Sequence, residues 1–160
     1  ELAKLYPNQF LGWQVLHIAG TEHVDRVKDS WKDLNIPCQV VDFVDEMGLA
    51  WNVADLAITR GGANTIAELA INAVPAIILP YPYHKDDHQK TNAMELASIG
   101  GVVVEKDYIQ TSHNLDCAGN TILKLLKNHQ QRLVMRQAIM ALSTTNGSIA
   151  IADACIASIR

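Results

Sequence analysis

Long apolar runs and dense basic clusters are both missing from this 160-residue sequence. No apolar run approaches the roughly 20 residues that a membrane-spanning helix needs. The formal net charge is −4, and no Lys/Arg run indicates binding to nucleic acid or to an anionic membrane surface. The 49% content of hydrophobic residues is typical of one globular domain with a sizeable core.

Paired cysteines and the common catalytic motifs are also missing. The cysteines Cys38, Cys117 and Cys155 are far apart and form no C-x-x-C pair, which suits a reducing compartment and indicates no zinc site. We expect each of them to be a small buried apolar residue. There is no Walker loop, no G-x-G-x-x-G, no G-x-S-x-G elbow, no plausible nucleophilic Cys with its His and no carboxylate pair at glycosidase-like spacing. We therefore predict no catalytic residue in this chain.

What is present is an alternation of short apolar segments with helical periodicity. Strands are predicted at 13–19, 37–43, 56–59, 75–79 and 101–105. Helices are predicted at 22–35, 47–53, 63–73 and 87–99, followed by a helical C-terminal segment at 115–126, 130–142 and 148–159. Strands rich in Val, Ile and Leu that alternate with helices predict an α/β fold, with a Rossmann-like parallel sheet and helices on both faces.

Ligands of such sheets bind beyond the carboxyl ends of the strands. Four segments are expected on this rim, namely 20–21, 43–47, 60–65 and 80–89. The stretch from Asp55 to Ala93 supplies the last two, as two successive strand-to-helix turns. We interpret this stretch as a nucleotide-sugar site.

The first turn, Gly61 to Thr65, has two interpretations. It is either a tight turn with close helix packing or a set of backbone N–H donors for a diphosphate, helped by the positive end of the helix dipole. Glu68 follows Thr65 by three residues, which fits a capping box. The alternative is that the Glu68 carboxylate accepts two hydrogen bonds from a ribose diol.

The second turn contains a polar cluster from His84 to Gln89. Asp86 or Asp87 is predicted to be the N-cap of the next helix. His88 and Gln89, in its first turn, are candidates for hydrogen bonds to sugar hydroxyls. His84 and His88 span the loop–helix junction, so no metal site is predicted. Elsewhere, His17 lies within a strand and is predicted to be a core histidine with a satisfied hydrogen bond.

At these residues the chain resembles the C-terminal half of the MurG family, which transfers N-acetylglucosamine from UDP-GlcNAc to lipid I in bacterial peptidoglycan synthesis. The resemblance covers about residues 13–106 and, more loosely, the remainder. It rests on Val15-Leu16-His17 with Gly20, Asp42 to Met47, Ala54-Asp55-Leu56, Arg60 to Thr65 with Glu68, Pro75-Ala76 to Pro80, and His84-Lys85-Asp86 with His88-Gln89 and Asn92-Ala93. Two positions depart from the family pattern: Gly61 stands where Ser is frequent, and His88 where some members have a second Gln.

The resemblance implies that residues 1–160 are the C-terminal, UDP-sugar-binding half of a GT-B fold, in which two Rossmann-like domains face each other across a cleft. It implies that the Val44 backbone reads the uracil, that Glu68 holds the ribose, and that His88 and Gln89 contact the N-acetylglucosamine. The other implied UDP-GlcNAc-binding residues lie around the diphosphate and are Arg60, Gly61, Gly62, Ala63, Asn64 and Thr65. The resemblance implies neither a cofactor nor a metal.

The family's N-terminal domain, with its acceptor site, membrane-facing surface and proposed general base, has no counterpart here. Nor has the Gly-rich loop that precedes Trp13 in the family. The first residues, Glu1-Leu2-Ala3-Lys4, resemble the interior of a helix, so we expect a fragment. The resemblance implies an enzyme in the cytoplasm, peripheral on the inner face of the bacterial membrane, that meets lipid I and the membrane through the missing domain. The final helix is expected to pack on that domain.

Two alternatives stay open at this point. The chain is a separate UDP-sugar-binding subunit that needs a partner chain, or it belongs to another GT-B enzyme such as a UDP-GlcNAc 2-epimerase. An epimerase would need catalytic carboxylates in the cleft, and the sequence offers no dedicated set.

Overall fold

The computed structural model describes residues 1–83, 87–142 and 147–158. Its strands match the five predicted ones, each shortened to the residues that pair with a neighbour. They are β1 (Val15–Ile18), β2 (Cys38–Val41), β3 (Ala57–Thr59), β4 (Ala76–Ile78) and β5 (Val102–Val104). All the pairings between them are parallel, as expected when a helix returns the chain between successive strands.

The helices also follow the predicted order. They are α1 (Leu2–Leu5), α2 (Val24–Trp31), α3 (Met47–Val53), α4 (Ala63–Asn72), α5 (His88–Ser98), α6 (Thr111–Asn114), α7 (Asn120–Lys127), α8 (His129–Met140) and α9 (Gly147–Ser158). A 3₁₀ turn (Pro7–Phe10) follows α1, and a π-helical segment (Leu115–Gly119) joins α6 to α7. Among the described residues, no helix is long and apolar enough to cross a membrane.

The strands form two hydrogen-bonded sheets, where the sequence predicted one. One sheet has the order β1-β2 and the other has the order β3-β4-β5. A cleft of about 310 Å³ lies between β1 and β3, lined by Ile18, Ile58, Thr59, Arg60 and Leu79. Ile18 is 41% exposed and Ile58 is 52% exposed, and both side chains line this cleft.

The main core surrounds β4, whose three residues are fully buried. Ala76 and Ile78 pack in a cluster with residues of α4 and α5, whereas Ile77 faces the opposite way, towards Leu125 of α7 and Met135 of α8. Side chains of a strand alternate between the two faces of its sheet, so this division places helices on both faces. The predicted two-sided cover is therefore confirmed at β4.

The last helix makes no comparable contribution to the core. All the residues of α9 whose exposure the structure describes are exposed, including Ile149, Ile151 and Ile156. Cys155 lies on this helix and is exposed as well, while Cys38 and Cys117 are half-buried. The expectation of a buried cysteine is wrong at Cys155, because α9 does not pack against the core clusters.

The β3–α4 turn and the first turn of α5 touch through main-chain atoms. A Cβ atom added to Gly61 would lie 2.0 Å from the carbonyl oxygen of Gln89, a distance that no side chain can occupy. The carbonyl oxygen of Gly61 also accepts a hydrogen bond from Asn92 Nδ2 at 3.0 Å. The structure thus supports close helix packing as one role of this glycine.

This contact predicts different effects of alanine at two neighbouring glycines. Gly61→Ala should lower the free energy of unfolding by about 1–3 kcal/mol, because α5 must shift away from the turn. Gly62→Ala is the matched control: Gly62 has φ −63° and ψ 143°, and its added Cβ would meet only Thr65 Oγ1, at 3.7 Å. Urea unfolding measures both variants, and equal destabilisation would contradict the contact.

Candidate functional site

The first turn of α4 exposes backbone donors that no side chain caps. Gly62 is the N-cap, no side chain accepts a hydrogen bond there, and the first turn carries no acidic residue. The N–H groups of Ala63, Asn64 and Thr65 precede the first intrahelical bond, which runs from Ile66 N to Gly62 O. Ala63 and Asn64 are exposed and Thr65 is half-buried. Three N–H groups at the positive end of a ten-residue helix can therefore bind an anion.

Glu68 lies on the same helix, one turn further in, and is held by a tryptophan. Its Oε2 atom accepts a hydrogen bond from Trp51 Nε1 of α3 at 2.8 Å, and both side chains are half-buried. The capping-box alternative is wrong, because the helix begins after Gly62 and Thr65 is not the N-cap. The Glu68 carboxylate therefore keeps a fixed position, with lone pairs left for a ligand.

Sequence reasoning missed Trp51. Helical spacing in α3 is enough to place its ring inward, where it packs against the main core cluster. Its polar partner is 17 residues away and on a different helix, so the sequence carries no local signal for the pair.

Val44 lies in the irregular segment between β2 and α3, and it is half-buried. The neighbouring main chain is fixed by the Asp42 carboxylate, which accepts a hydrogen bond from the N–H group of Phe43 at 2.9 Å. This segment leads into α3, which contacts α4 through the hydrogen bond from Trp51 to Glu68. Val44 therefore precedes, in the chain, the helix that meets the Glu68 side of the candidate site.

The first turn of α5 contains the other two predicted ligands. His88 is exposed, and Gln89 is half-buried with its Oε1 atom accepting a hydrogen bond from the N–H group of Tyr81 at 2.8 Å. Asp87 occupies the N-cap position, but its side chain makes no capping hydrogen bond, and its φ of 49° is left-handed. Residues 84–86 lie outside the described residues. The predictions made for His84 and Asp86 therefore also lie outside them.

Arg60 is the predicted ligand whose structural role is clearest. Its Nη1 atom donates to the carbonyl oxygens of Leu79 at 2.8 Å and Pro80 at 3.4 Å, and it forms an ion pair with Asp107 Oδ2 at 2.7 Å. The guanidinium also lies over the ring of Tyr81, 5.8 Å from its centroid. Arg60 therefore ties the end of β3 to the segment after β4.

Asp107 is a second residue that sequence reasoning missed. Its Oδ1 atom accepts hydrogen bonds from Asn114 Nδ2 and from the N–H group of Ile109, both at 2.8 Å. Burial alone would raise the pKa of Asp107, but the bonds from Asn114, Arg60 and Ile109 outweigh it and hold the pKa below its usual value. Its partner Arg60 is 47 residues away in the sequence, so no spacing could reveal the pair.

His17 lies apart from these residues. Its Nδ1 atom accepts a hydrogen bond from Trp31 Nε1 at 3.1 Å, and burial lowers its pKa. The histidine is half-buried rather than fully buried, and its predicted satisfied hydrogen bond is confirmed. Among the described residues, no three His, Cys, Asp or Glu side chains cluster as metal ligands.

Parallel strands followed at their carboxyl ends by a helix start that no side chain caps are the arrangement in which α/β domains bind anionic ligands. Residues 2–150 match the glycosyltransferase family 28 C-terminal domain, and the chain belongs to this family. The resemblance read from the sequence motifs is thereby confirmed.

Curated relatives carry a specific enzyme name. The chain is 42% identical over 95 residues to the UDP-N-acetylglucosamine–N-acetylmuramyl-(pentapeptide) pyrophosphoryl-undecaprenol N-acetylglucosamine transferases of Burkholderia thailandensis and Burkholderia mallei. The matched segment is 57% of this chain and 26% of each relative. The matched segment thus spans about a quarter of the length of these curated relatives.

Solved structures agree with the predicted fold class. The crystal structure of MurG from Acinetobacter baumannii superposes with a TM-score of 0.78 at 28% identity, covering 95% of this chain and 46% of that one. The glycosyltransferase VinC, solved in complex with dTDP, has a TM-score of 0.58 at 19% identity. The match covers 84% of this chain and 32% of the VinC chain. The second likeness shows the fold alone. Together they confirm half of a GT-B fold.

The ion pair of Asp107 predicts a pH-dependent contribution to stability. The lowered pKa means that this contribution is complete above the pKa of an unfolded aspartate, about 3.9, and is lost as the pH falls through the lower folded pKa. Asp107→Asn should therefore lower the free energy of unfolding by about 1 kcal/mol near neutral pH, a modest value because Arg60 is half exposed. The difference should become progressively smaller in acid.

Unfolding of both proteins in urea at several pH values measures this difference. The exposed Asp116, replaced by Asn, is the matched control and should change the free energy of unfolding near neutral pH by less than about 0.5 kcal/mol. A cost for Asp107→Asn that grows as the pH falls below 4 would contradict the assignment.

Proposed function

We propose that this chain is the C-terminal, donor-binding domain of an inverting glycosyltransferase. The enzyme transfers N-acetylglucosamine from UDP-GlcNAc to lipid-linked MurNAc-pentapeptide, converting lipid I to lipid II in peptidoglycan synthesis. One observation carries this proposal: the uncapped N–H groups of α4 lie on the same helix as the fixed carboxylate of Glu68, in a chain whose relatives are named as such transferases.

The diphosphate of the donor binds at the start of α4. Ala63, Asn64 and Thr65 donate their N–H groups to its oxygens, and the helix dipole favours its negative charge. When UDP leaves, negative charge grows on the same oxygens, so these preorganised donors stabilise the leaving group. Gly62 lets the diphosphate approach the main chain, because no side chain stands before the helix.

The uridine lies on the α3 side of this turn. The Glu68 carboxylate accepts hydrogen bonds from the two ribose hydroxyls, while Trp51 keeps it in one orientation. The main chain at Val44 reads the edge of the uracil. Ordinary hydrogen bonds to a charged acceptor contribute about 1.5–3 kcal/mol, so Glu68 is the side chain expected to dominate the affinity for UDP.

The sugar lies on the α5 side. His88 and Gln89, in the first turn of α5, hydrogen-bond the hydroxyls of N-acetylglucosamine. Arg60 supports the same part of the site, because its guanidinium binds the carbonyl oxygens of Leu79 and Pro80.

The acceptor side belongs to a second domain. The lipid-linked 4-hydroxyl of MurNAc attacks the anomeric carbon, and the group that activates this hydroxyl lies outside residues 1–160. Contact with lipid I and with the inner face of the cytoplasmic membrane also belongs to that domain. The 160-residue chain is therefore expected to bind UDP-GlcNAc and to transfer nothing by itself.

The ribose assignment predicts the outcome of a titration with UDP. Glu68→Ala should weaken UDP binding by about a hundredfold or more, because two hydrogen bonds to a charged acceptor are lost. Glu95→Ala, which removes an exposed glutamate from α5, should leave the affinity unchanged. Isothermal titration calorimetry measures all three proteins.

Trp51→Phe separates a direct role of Glu68 from an indirect one. The substitution removes only the N–H donor. Its loss of UDP affinity should therefore be several-fold smaller than the loss caused by Glu68→Ala. Equal losses in the two variants would mean that Glu68 acts only by holding α3 against α4, and unchanged affinity in Glu68→Ala would overturn the ribose assignment.

Backbone donors at the diphosphate predict that UDP binding needs no divalent cation. The dissociation constant of UDP should be the same with EDTA and with excess Mg²⁺, because fixed N–H groups and the helix dipole balance the charge of the diphosphate. The measurement is the same titration in the two buffers. A loss of affinity of tenfold or more in EDTA would contradict metal-independent binding.

A further inference from the structure

We propose that Asp107 is a positioning residue for Gln89 and thereby selects for the sugar part of the donor. It acts through Arg60 and the segment Pro80–Tyr81, without touching the ligand. This inference rests on the proposed function, because it needs a UDP-sugar bound between α4 and α5.

Asp107 is itself held rigidly. Its side chain is only 12% exposed, and both carboxylate oxygens are used. Oδ1 accepts from Asn114 and from the main chain of Ile109, which leaves Oδ2 directed at Arg60. Asn114 is fixed in turn, since its Oδ1 atom accepts from the N–H group of Tyr108 at 2.8 Å. The loop after β5 therefore presents a fixed negative charge to Arg60.

The Asp107 charge anchors the exposed Arg60 side chain beside the segment after β4. The Arg60 side chain is 48% exposed, so water competes for its donors. The single Nη1 atom binds Asp107 Oδ2 together with the carbonyl oxygens of Leu79 and Pro80. Without the carboxylate, the guanidinium loses its charged partner. Water then competes for its hydrogen bonds to these carbonyl oxygens and for its contact with the ring of Tyr81.

A main-chain hydrogen bond links this segment to Gln89, the proposed sugar ligand. The N–H group that follows Pro80 belongs to Tyr81, and it donates to Gln89 Oε1 at 2.8 Å. This bond orients the Gln89 amide and leaves its Nε2 atom to donate to a sugar hydroxyl. A shift of Pro80–Tyr81 would therefore turn the Gln89 amide away from the sugar.

The uridine side of the site has a separate support. Glu68 is fixed by Trp51, and Val44 follows β2, which is in the other sheet. None of these contacts involves Asp107 or Arg60. Loss of Asp107 should consequently change recognition of the sugar and leave recognition of UDP intact, which a general structural role would not do.

The test compares two ligands, UDP-GlcNAc and UDP, by calorimetry on the 160-residue chain. Asp107→Ala should weaken UDP-GlcNAc binding by about fivefold to tenfold, roughly the loss of one hydrogen bond, with UDP binding changed by less than about twofold. Asp107→Asn, which keeps the shape of the side chain, should show a smaller shift in the same direction. Asp116→Ala, an exposed aspartate in the same connection, is the matched control.

A double-mutant cycle with Gln89→Ala identifies the route. If Asp107 acts through Gln89, Asp107→Ala should cause no further loss of UDP-GlcNAc affinity in the Gln89→Ala background. Additive losses would overturn the proposal, as would equal losses for UDP and UDP-GlcNAc or unchanged affinity for both. If the unaltered chain binds neither ligand, the proposed function fails first, and that outcome is distinct from the others.

Discussion

The contact between Gly61 and the main chain of Gln89 is the constraint on which the candidate site depends. Because Gly61 has no side chain, the first turn of α5 lies directly against the turn that opens α4. Asn92 adds a hydrogen bond from α5 to the carbonyl oxygen of Gly61. Two helix starts are thereby fixed side by side. A glycine that looks like a ligand-binding element in the sequence thus has a packing role, which is compatible with phosphate binding at the next residues.

In addition to this contact, each part of the site is supported by a different residue that the sequence did not reveal. Trp51 fixes Glu68 from α3, and Asp107 fixes Arg60 from the loop after β5. Each pair contains a half-buried carboxylate whose partner satisfies it, as burial of polar groups requires. The two sides of the candidate site, around Glu68 and around Gln89, are therefore held by separate contacts, although Gly61 brings α4 and α5 together.

Local patterns were enough to predict the elements of the fold, but not the contacts between them. Apolar runs and helical spacing identified all five strands and the order of the helices, since both are short-range properties. Long-range pairs such as Trp51 with Glu68 have no such signal. The capping box failed for a related reason: Thr65 and Glu68 have the right spacing, but only the start of α4 at Gly62 decides which residue is the N-cap.

The split of the sheet has a physical consequence for the rim. An unpaired strand edge presents free N–H and C=O groups, which water must satisfy. The edges of β1 and β3 border the cleft that Ile18, Ile58 and Arg60 line, so this cleft opens beside the start of α4. The β3–β4–β5 sheet, by contrast, is buried at β4 on both faces and carries α4, α5 and Asp107. The candidate site residues that follow β3 and β4 therefore rest on the better-packed sheet, whereas Val44 follows β2 of the other sheet.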